Sequence, residues 1–194
     1  MQALTNTDLL PLERYARERA QIRERMISYR AARRLEVGPN CTWSFEDRET
    51  VRYQVQEMLR TERIFEAAGI NEELAAYNPL IPSGRNLKAT LLIEYPDPLE
   101  RAAKLAGLRG MERRCWLQVA GHERVYAIAD EDMERENEQK TSAVHFLRFE
   151  FSAAMAGDFK AGAVLAAGVD HDAYRHGVDP AAPELCSVLR ADLD

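Results

Sequence analysis

Apolar positions along this chain of 194 residues change period several times, and each change marks an element. In residues 11–33, Leu12, Tyr15, Arg19, Ile22, Met26 and Tyr29 recur at helical spacing, which predicts one long helix with a narrow apolar stripe, opened by Pro11. Thr5 and Asp8 have capping-box spacing for a short turn ahead of it. Leu35–Val37 and Cys41–Phe45 read as short strands around the turn-forming triplet Gly38-Pro39-Asn40. Asp47 is placed to cap a second helix that points Val51, Val55, Met58, Leu59 and Phe65 inward and stops at Gly69, and Asn71 caps a brief third helix ending at Asn78-Pro79.

Period-two patterning then takes over. Leu87–Tyr95 alternates, with Leu87, Ala89, Leu91, Ile93 and Tyr95 on one side and Lys88, Thr90, Leu92 and Glu94 on the other. Asp97-Pro98 followed by Glu100 is the clearest helix start in the chain, and Gly110 breaks that helix. Cys115–Ala120 and Arg124–Ala129 predict a hairpin around Gly121-His122. The charged run Asp130–Lys140 reads as a connecting loop or short solvated helix. Thr141–Phe151 is a strand, after which Ser152 caps a small-residue helix ending at Gly168 and a last helix runs from Pro183 to Leu193. The sum is a single α+β domain over residues 1–194. It has a mainly antiparallel sheet of four or more strands with its core at about 87–151, helices packed on one side, a long N-terminal helix, and C-terminal helices at about 152–193.

The strand Thr141–Phe151 is unusual in carrying charge among apolar residues. Ala143, His145, Leu147, Phe149 and Phe151 share one face, and Val144, Phe146, Arg148 and Glu150 the other. Buried charge is costly unless paired, so such a strand marks either an internal ion-pair network or a site. If neighbouring strands bring their polar groups together, Arg148 could clamp a carboxylate or phosphate with its planar fork, beside Gln118, with Glu94, Glu150 or His145 as acid, base or ligand. The competing reading pairs Arg148 with Glu150 or Glu94 to hold the sheet and makes His145 a hydrogen-bonded core histidine. Arg52 on the second helix could edge an anion pocket, or belong to a solvated face. In the loop Asn78–Arg85, fixed by Pro79 and Pro82, Asn78 and Arg85 are candidate ligand contacts, or parts of an ordered connector.

Composition narrows the classes. A hydrophobic fraction of 46% and a charged fraction of 30% exclude a disordered chain. No apolar run nears the ~20 residues of a membrane span, and the N-terminus lacks a basic-then-apolar signal layout, so the expected location is the cytoplasm. Cys41, Cys115 and Cys186 are isolated, which suggests neither a disulfide framework nor a structural zinc site. His171 and His176 lack the spacing that puts two ligands on one helix face, so no metal and no cofactor are expected. The net charge of −6 hides an asymmetry, because residues 1–34 carry +4 and the remainder −10. An acidic remainder argues against a nucleic-acid partner, and the narrow stripe on the first helix would suit a homodimer contact.

Five stretches together carry a resemblance: Phe45–Glu66 (FEDRETVRYQVQEMLRTERIFE), Tyr77–Pro82 (YNPLIP), Leu87–Tyr95 (LKATLLIEY), Arg124–Asp132 (RVYAIADED) and Lys140–Phe151 (KTSAVHFLRFEF). In this ordered set the chain resembles a bacterial domain family of unknown function over nearly its whole length. The family's genes often neighbour those of rubrerythrin-like proteins and of an iron-sulfur protein related to heterodisulfide reductase. The resemblance therefore implies an accessory protein in a redox or oxidative-stress setting, with such a protein as partner, and transfers no catalytic residues. The residues themselves offer the alternative of a small-molecule enzyme or binding domain with an Arg/Glu-lined anion pocket on the sheet.

Overall fold

The structure, a computed structural model, describes residues 1–129, 131 and 140–194. Helix α1 (Leu12–Ala31) leads into strands β1 (Arg34–Glu36) and β2 (Cys41–Glu46), then α2 (Arg48–Thr61) and α3 (Ala67–Tyr77). Strand β3 (Asn86–Ile93), helix α4 (Pro98–Gly107) and strands β4 (Cys115–Val119), β5 (Val125–Tyr126), β6 (Ile128–Ala129) and β7 (Val144–Glu150) follow. Helix α5 (Ala153–Lys160), strands β8 (Leu165–His171) and β9 (Tyr174–Val178) and helix α6 (Pro183–Arg190) complete the chain. The strands form two antiparallel sheets, one of five strands in the order β1-β2-β3-β7-β6 and one of four in the order β5-β4-β8-β9.

One continuous core unites the buried faces of both sheets with α4, α5 and α6. Alternation decides which residues enter it. Leu87, Ala89, Leu91 and Ile93 of β3 and His145, Leu147 and Phe149 of β7 are all buried, while their neighbours Lys88, Thr90, Phe146 and Arg148 are half-buried on the other face. Trp43 of β2 stacks on Phe149 at 5.4 Å between ring centroids. A second, smaller cluster joins Leu4, Val51, Val55, Leu59, Leu74 and Ile81, so α2, α3 and the N-terminal segment make their own apolar layer.

Several expected elements hold. Thr5 and Asp8 form the capping box, Asp47 caps α2 by accepting from the Thr50 amide, and Asp97 caps α4 by accepting from the Glu100 amide. Others need correction. The second helix ends at Thr61, since Arg63 takes a left-handed φ of 57°; Gly69 lies inside α3, which begins after Glu66 rather than at Asn71. Phe65, expected inside, is 65% exposed. The run expected as C-terminal helices holds two strands. Gly168, read as the end of a helix, lies in β8 and lets Trp116 approach: a Cβ there would lie 2.4 Å from the Trp116 ring and 2.7 Å from the His176 carbonyl oxygen. Most of the run expected as a loop or solvated helix, Asp130–Lys140, lies outside the described residues. On α1 only Tyr15 and Met26 are buried, and the helix is tied to α2 by Glu57, which accepts from the Tyr15 hydroxyl at 2.5 Å and from both Arg19 Nε and Nη2 at 2.8 and 2.7 Å.

The end of α1 is fixed by a buried guanidinium. Arg33, 3% exposed, donates from Nε to the Phe45 carbonyl at 3.1 Å and lies 3.1 Å from the Asp47 carboxylate. Its other terminal nitrogen contacts Asp192, also buried, in the chain's last residues. Tyr29 donates its hydroxyl to Asp47. Two carboxylates thus share one arginine. Burial pushes the Asp192 carboxyl up to about 7, against the pull of Arg33 and with Asp47 adding to the rise.

The network makes two predictions. Arg33→Ala leaves two buried carboxylates facing each other and is expected to cost about 3–5 kcal/mol in urea unfolding. Asp192 binds its proton more tightly folded than unfolded, where it titrates near 3.8. The stability this adds is complete below that value and is lost as pH rises through about 7. The melting-temperature advantage of the wild type over Asp192→Asn should therefore shrink between about pH 4 and pH 8; a gap that widens instead contradicts this assignment.

Candidate functional site

The expected site residues do not converge on one spot. Arg148 and Glu150 do meet: Arg148 Nη1 donates to Glu150 Oε2 at 2.7 Å. Glu131 accepts from Arg148 Nε and Nη2, both at 2.8 Å, and this pairing, before that of Glu150, raises the arginine's pKa. With all three of these guanidinium nitrogens on carboxylates, Arg148 is occupied as a brace rather than open as an anion clamp. Glu94 lies beyond the far end of β3, six residues past Lys88, the cross-strand partner of Arg148, and so about 20 Å along the strand. There it accepts from the Thr42 hydroxyl at 2.5 Å, with Arg34 at 3.6 Å. Alternation turns His145 to the opposite, buried face, where its Nε2 lies 2.9 Å from Thr141 Oγ1 and 4.0 Å from Glu112.

The remaining candidates sit apart. Gln118 belongs to the four-stranded sheet and donates to the His122 carbonyl at 2.8 Å. Arg52 pairs with Glu49 at 2.6 Å and lines a separate cleft with Tyr15 and Met26 of α1. Asn78 clamps the N-terminal segment, accepting from the Leu4 amide at 2.7 Å and donating to its carbonyl at 3.0 Å. The Arg85 side chain is exposed, and its carbonyl accepts from the Phe151 amide at 2.8 Å.

A different arrangement emerges on the outer face of the five-stranded sheet. Two adjoining cavities, of about 190 and 290 Å³, lie between β2, β3 and β7 on one side and the α2–α3 layer on the other, and both are lined by Glu46, Leu80 and Phe146. The smaller is walled by Pro79, Ala89 and Leu147 with Lys88, Glu131 and Arg148 around it. Burial first, and then Arg148, lowers the Lys88 pKa; its ammonium donates to the Pro79 carbonyl at 2.5 Å. The larger cavity is floored by Thr90, Leu92, Val144 and Phe146, with Val51 and Gln54 of α2 and Tyr77 of α3 above them.

Two opposite charges line this larger cavity. Glu46, 8% exposed, accepts from the Thr50 hydroxyl at 2.6 Å and the Thr90 hydroxyl at 2.7 Å, and no described cation lies within ion-pair distance of it. Arg30, in the last turn of α1, has a buried Nε without any hydrogen-bond partner, and its guanidinium makes no ion pair with a described residue. Its one side-chain contact of note is the Tyr53 ring, 5.6 Å from the guanidinium carbon. The Nε is buried while the residue as a whole is half-buried, so a group entering the cavity would meet a donor that the protein leaves unpaired. Neither residue stood out in the sequence, where Arg30 is one of eight arginines before residue 35 and Glu46 merely closes a strand.

The thiols are withdrawn from the surface. All three cysteines are buried; burial pushes the Cys41 thiol up to about 12 and the Cys115 thiol well above its ordinary range. Among the described residues no three His, Cys, Asp or Glu side chains are grouped so as to hold a metal ion, and no helix is long and apolar enough to cross a membrane.

A family model described as a protein of unknown function (DUF3501) matches residues 3–193. A crystal structure of a novel protein of unknown function from Burkholderia pseudomallei K96243 is similar over 100% of both chains, with 48% identity and a TM-score of 0.95. No curated protein matches the chain.

The thiol environment generates a direct check. In the native protein Cys41, Cys115 and Cys186 should resist a bulky disulfide reagent near neutral pH, and all three should react once the chain is unfolded in guanidinium; fast labelling of any one in the folded state would contradict the burial described.

Proposed function

The chain belongs to the DUF3501 family of proteins of unknown function, and we propose that it is a binding domain for a small amino acid or related amino-bearing carboxylate, held in the groove between the five-stranded sheet and the α2–α3 layer. The observation that carries this reading is the presence of Arg30 and Glu46 on one largely apolar cavity, opposite in charge and each without an ionic partner. A ligand carboxylate would take the Arg30 fork, its ammonium would approach Glu46, and its apolar body would rest on Leu92, Val144 and Phe146. The Thr50 and Thr90 hydroxyls orient the Glu46 carboxylate and hold it while the cavity is empty. The proposal is one of binding, and the hydroxyls of Ser44, Tyr77 and Thr90 on the same cavity add polar contacts for the ligand.

A redox setting fits the same reading in an accessory sense. With its three thiols buried, and those of Cys41 and Cys115 pushed up by that burial, the chain would act beside a rubrerythrin-like or iron-sulfur partner through ligand-dependent association rather than by thiol exchange.

Calorimetric titration with glycine, β-alanine, γ-aminobutyrate, leucine and phenylalanine tests the proposal. At least one should bind, and Arg30→Met should weaken it by roughly tenfold or more, the worth of a charge-assisted contact. Because Arg30 makes no ion pair with a described residue and its Nε has no partner, the same variant should keep a melting temperature close to the wild type. Absence of binding across the panel, or binding that Arg30→Met leaves intact, would overturn the proposal.

A further inference from the structure

A cleft of about 920 Å³ lies on the other sheet and shares no residue with the groove. It forms where the chain leaves α4 and enters β4, beside the β8–β9 turn. Arg109, Arg113, Arg114 and Arg175 line it, together with His171. Gly110 takes a φ of 77° and so reverses the chain into a short 3-10 turn, Met111–Arg114. Within that turn Met111 and Glu112 are 0% and 1% exposed and anchor it, which leaves Arg113 and Arg114 projecting from a fixed base.

The two turns that frame the cleft are locked together. The Ala173 amide donates to His171 Nδ1 at 3.2 Å, which leaves Nε2–H to donate to the Arg109 carbonyl at 3.1 Å. His171 is thus a brace joining the β8–β9 turn to the arginine turn. Two acidic residues also line the cleft. Asp170 is engaged by Arg124 at 2.6 Å and the Tyr126 hydroxyl at 3.1 Å, whereas Asp172 lies fully exposed, 3.5 Å from Arg175. Arg113 has Glu112 at 3.8 Å, and Arg114 makes no ion pair with a described residue. Arg113, Arg114 and Arg175 thus bring three exposed guanidinium groups to the cleft, Arg175 with Asp170 at 3.9 Å and Asp172 at 3.5 Å beside it.

We propose that this cleft is a binding site for oligophosphates, whose charged oxygens bridge Arg113 and Arg114 on one wall and Arg175 on the other. Guanidinium forks from separate segments suit a ligand with several anionic oxygens in series better than a single carboxylate, since each fork can take two oxygens. The exposed ring of Tyr126, 43% accessible at the margin of the cleft, would sit beside a base if the phosphates belong to a nucleotide.

Isothermal titration of the intact protein with inorganic tripolyphosphate tests the site, with ATP as a second arm. Single-site binding that weakens as salt is raised is expected. The double substitution Arg113→Ala/Arg114→Ala should reduce affinity on the order of tenfold, and Arg175→Ala should reduce it by a smaller factor. Arg17→Ala/Arg23→Ala, which removes two exposed charges from α1, should leave affinity within about twofold if the site is local. Tighter binding of ATP than of tripolyphosphate supports a nucleotide, and equal binding supports recognition of the phosphates alone. No binding at low salt, or an equal loss in the α1 variant, would overturn the proposal. All substituted side chains are exposed, so unchanged melting temperatures will confirm that the variants fold.

Discussion

The arrangement depends on one buried guanidinium. Arg33 holds the Phe45 carbonyl, the Asp47 carboxylate and Asp192 together, and so fixes the end of α1, the entry to α2 and the last residues of the chain to one point. The Phe45 amide returns a bond to the Arg33 carbonyl at 2.9 Å, which locks β2 beside the helix terminus. Arg30 lies one helical turn before this point, and Glu46 follows directly on Phe45. The two unpaired charges of the groove are therefore set by the same network that closes the fold, and both are carried on regular elements rather than on a mobile loop.

The groove itself follows from how the sheet is covered. The inner face of β2, β3 and β7 is filled by both sheets and three helices, whereas the outer face meets α2 and α3 with Arg30 of α1 and the Pro79–Leu80 turn, and α2 and α3 keep much of their apolar surface for each other and the N-terminal segment. Thr90, Leu92, Val144 and Phe146 remain half-buried under an incomplete roof. Space of this kind, apolar with a few converging polar groups, is what small-molecule sites are built from. Lys88, Arg148, Glu131 and Glu150 close its other cavity as a compensated cluster, which makes that end a structural brace.

Much of the scaffold was legible in the sequence, and the site was not. Alternation in Leu87–Tyr95 and Thr141–Phe151 separated the residues into the same two faces that the structure shows, because a two-residue period admits only two answers; which face of Thr141–Phe151 is the core stayed open, since Val144 and Phe146 share a side with Arg148. Asp47 and Asp97 declared their helices through capping chemistry. The strand at Leu165–His171 was hidden because the run Ala166-Ala167-Gly168 has a composition that mimics a small-residue helix, while Gly168 is required by the long-range approach of Trp116. Arg148 drew attention as a charge inside an apolar strand, yet its partner Glu131 belongs to a run that reads as solvated. Arg30 and Glu46 carry no local signal, since what distinguishes them is a missing partner, and absence of pairing is a tertiary property.

The most direct measurement of the central claim is an NMR titration that follows the Arg30 Nε–H resonance, identified by its loss in Arg30→Met, as γ-aminobutyrate and leucine are added to the isotopically labelled protein. Movement of that resonance toward a hydrogen-bonded position, saturating together with shifts at Phe146 and Thr90, is the result the account requires. If the resonance stays still while a ligand binds, or if the perturbed resonance belongs to Arg148, the groove is not held by the Arg30–Glu46 pair and the account is wrong.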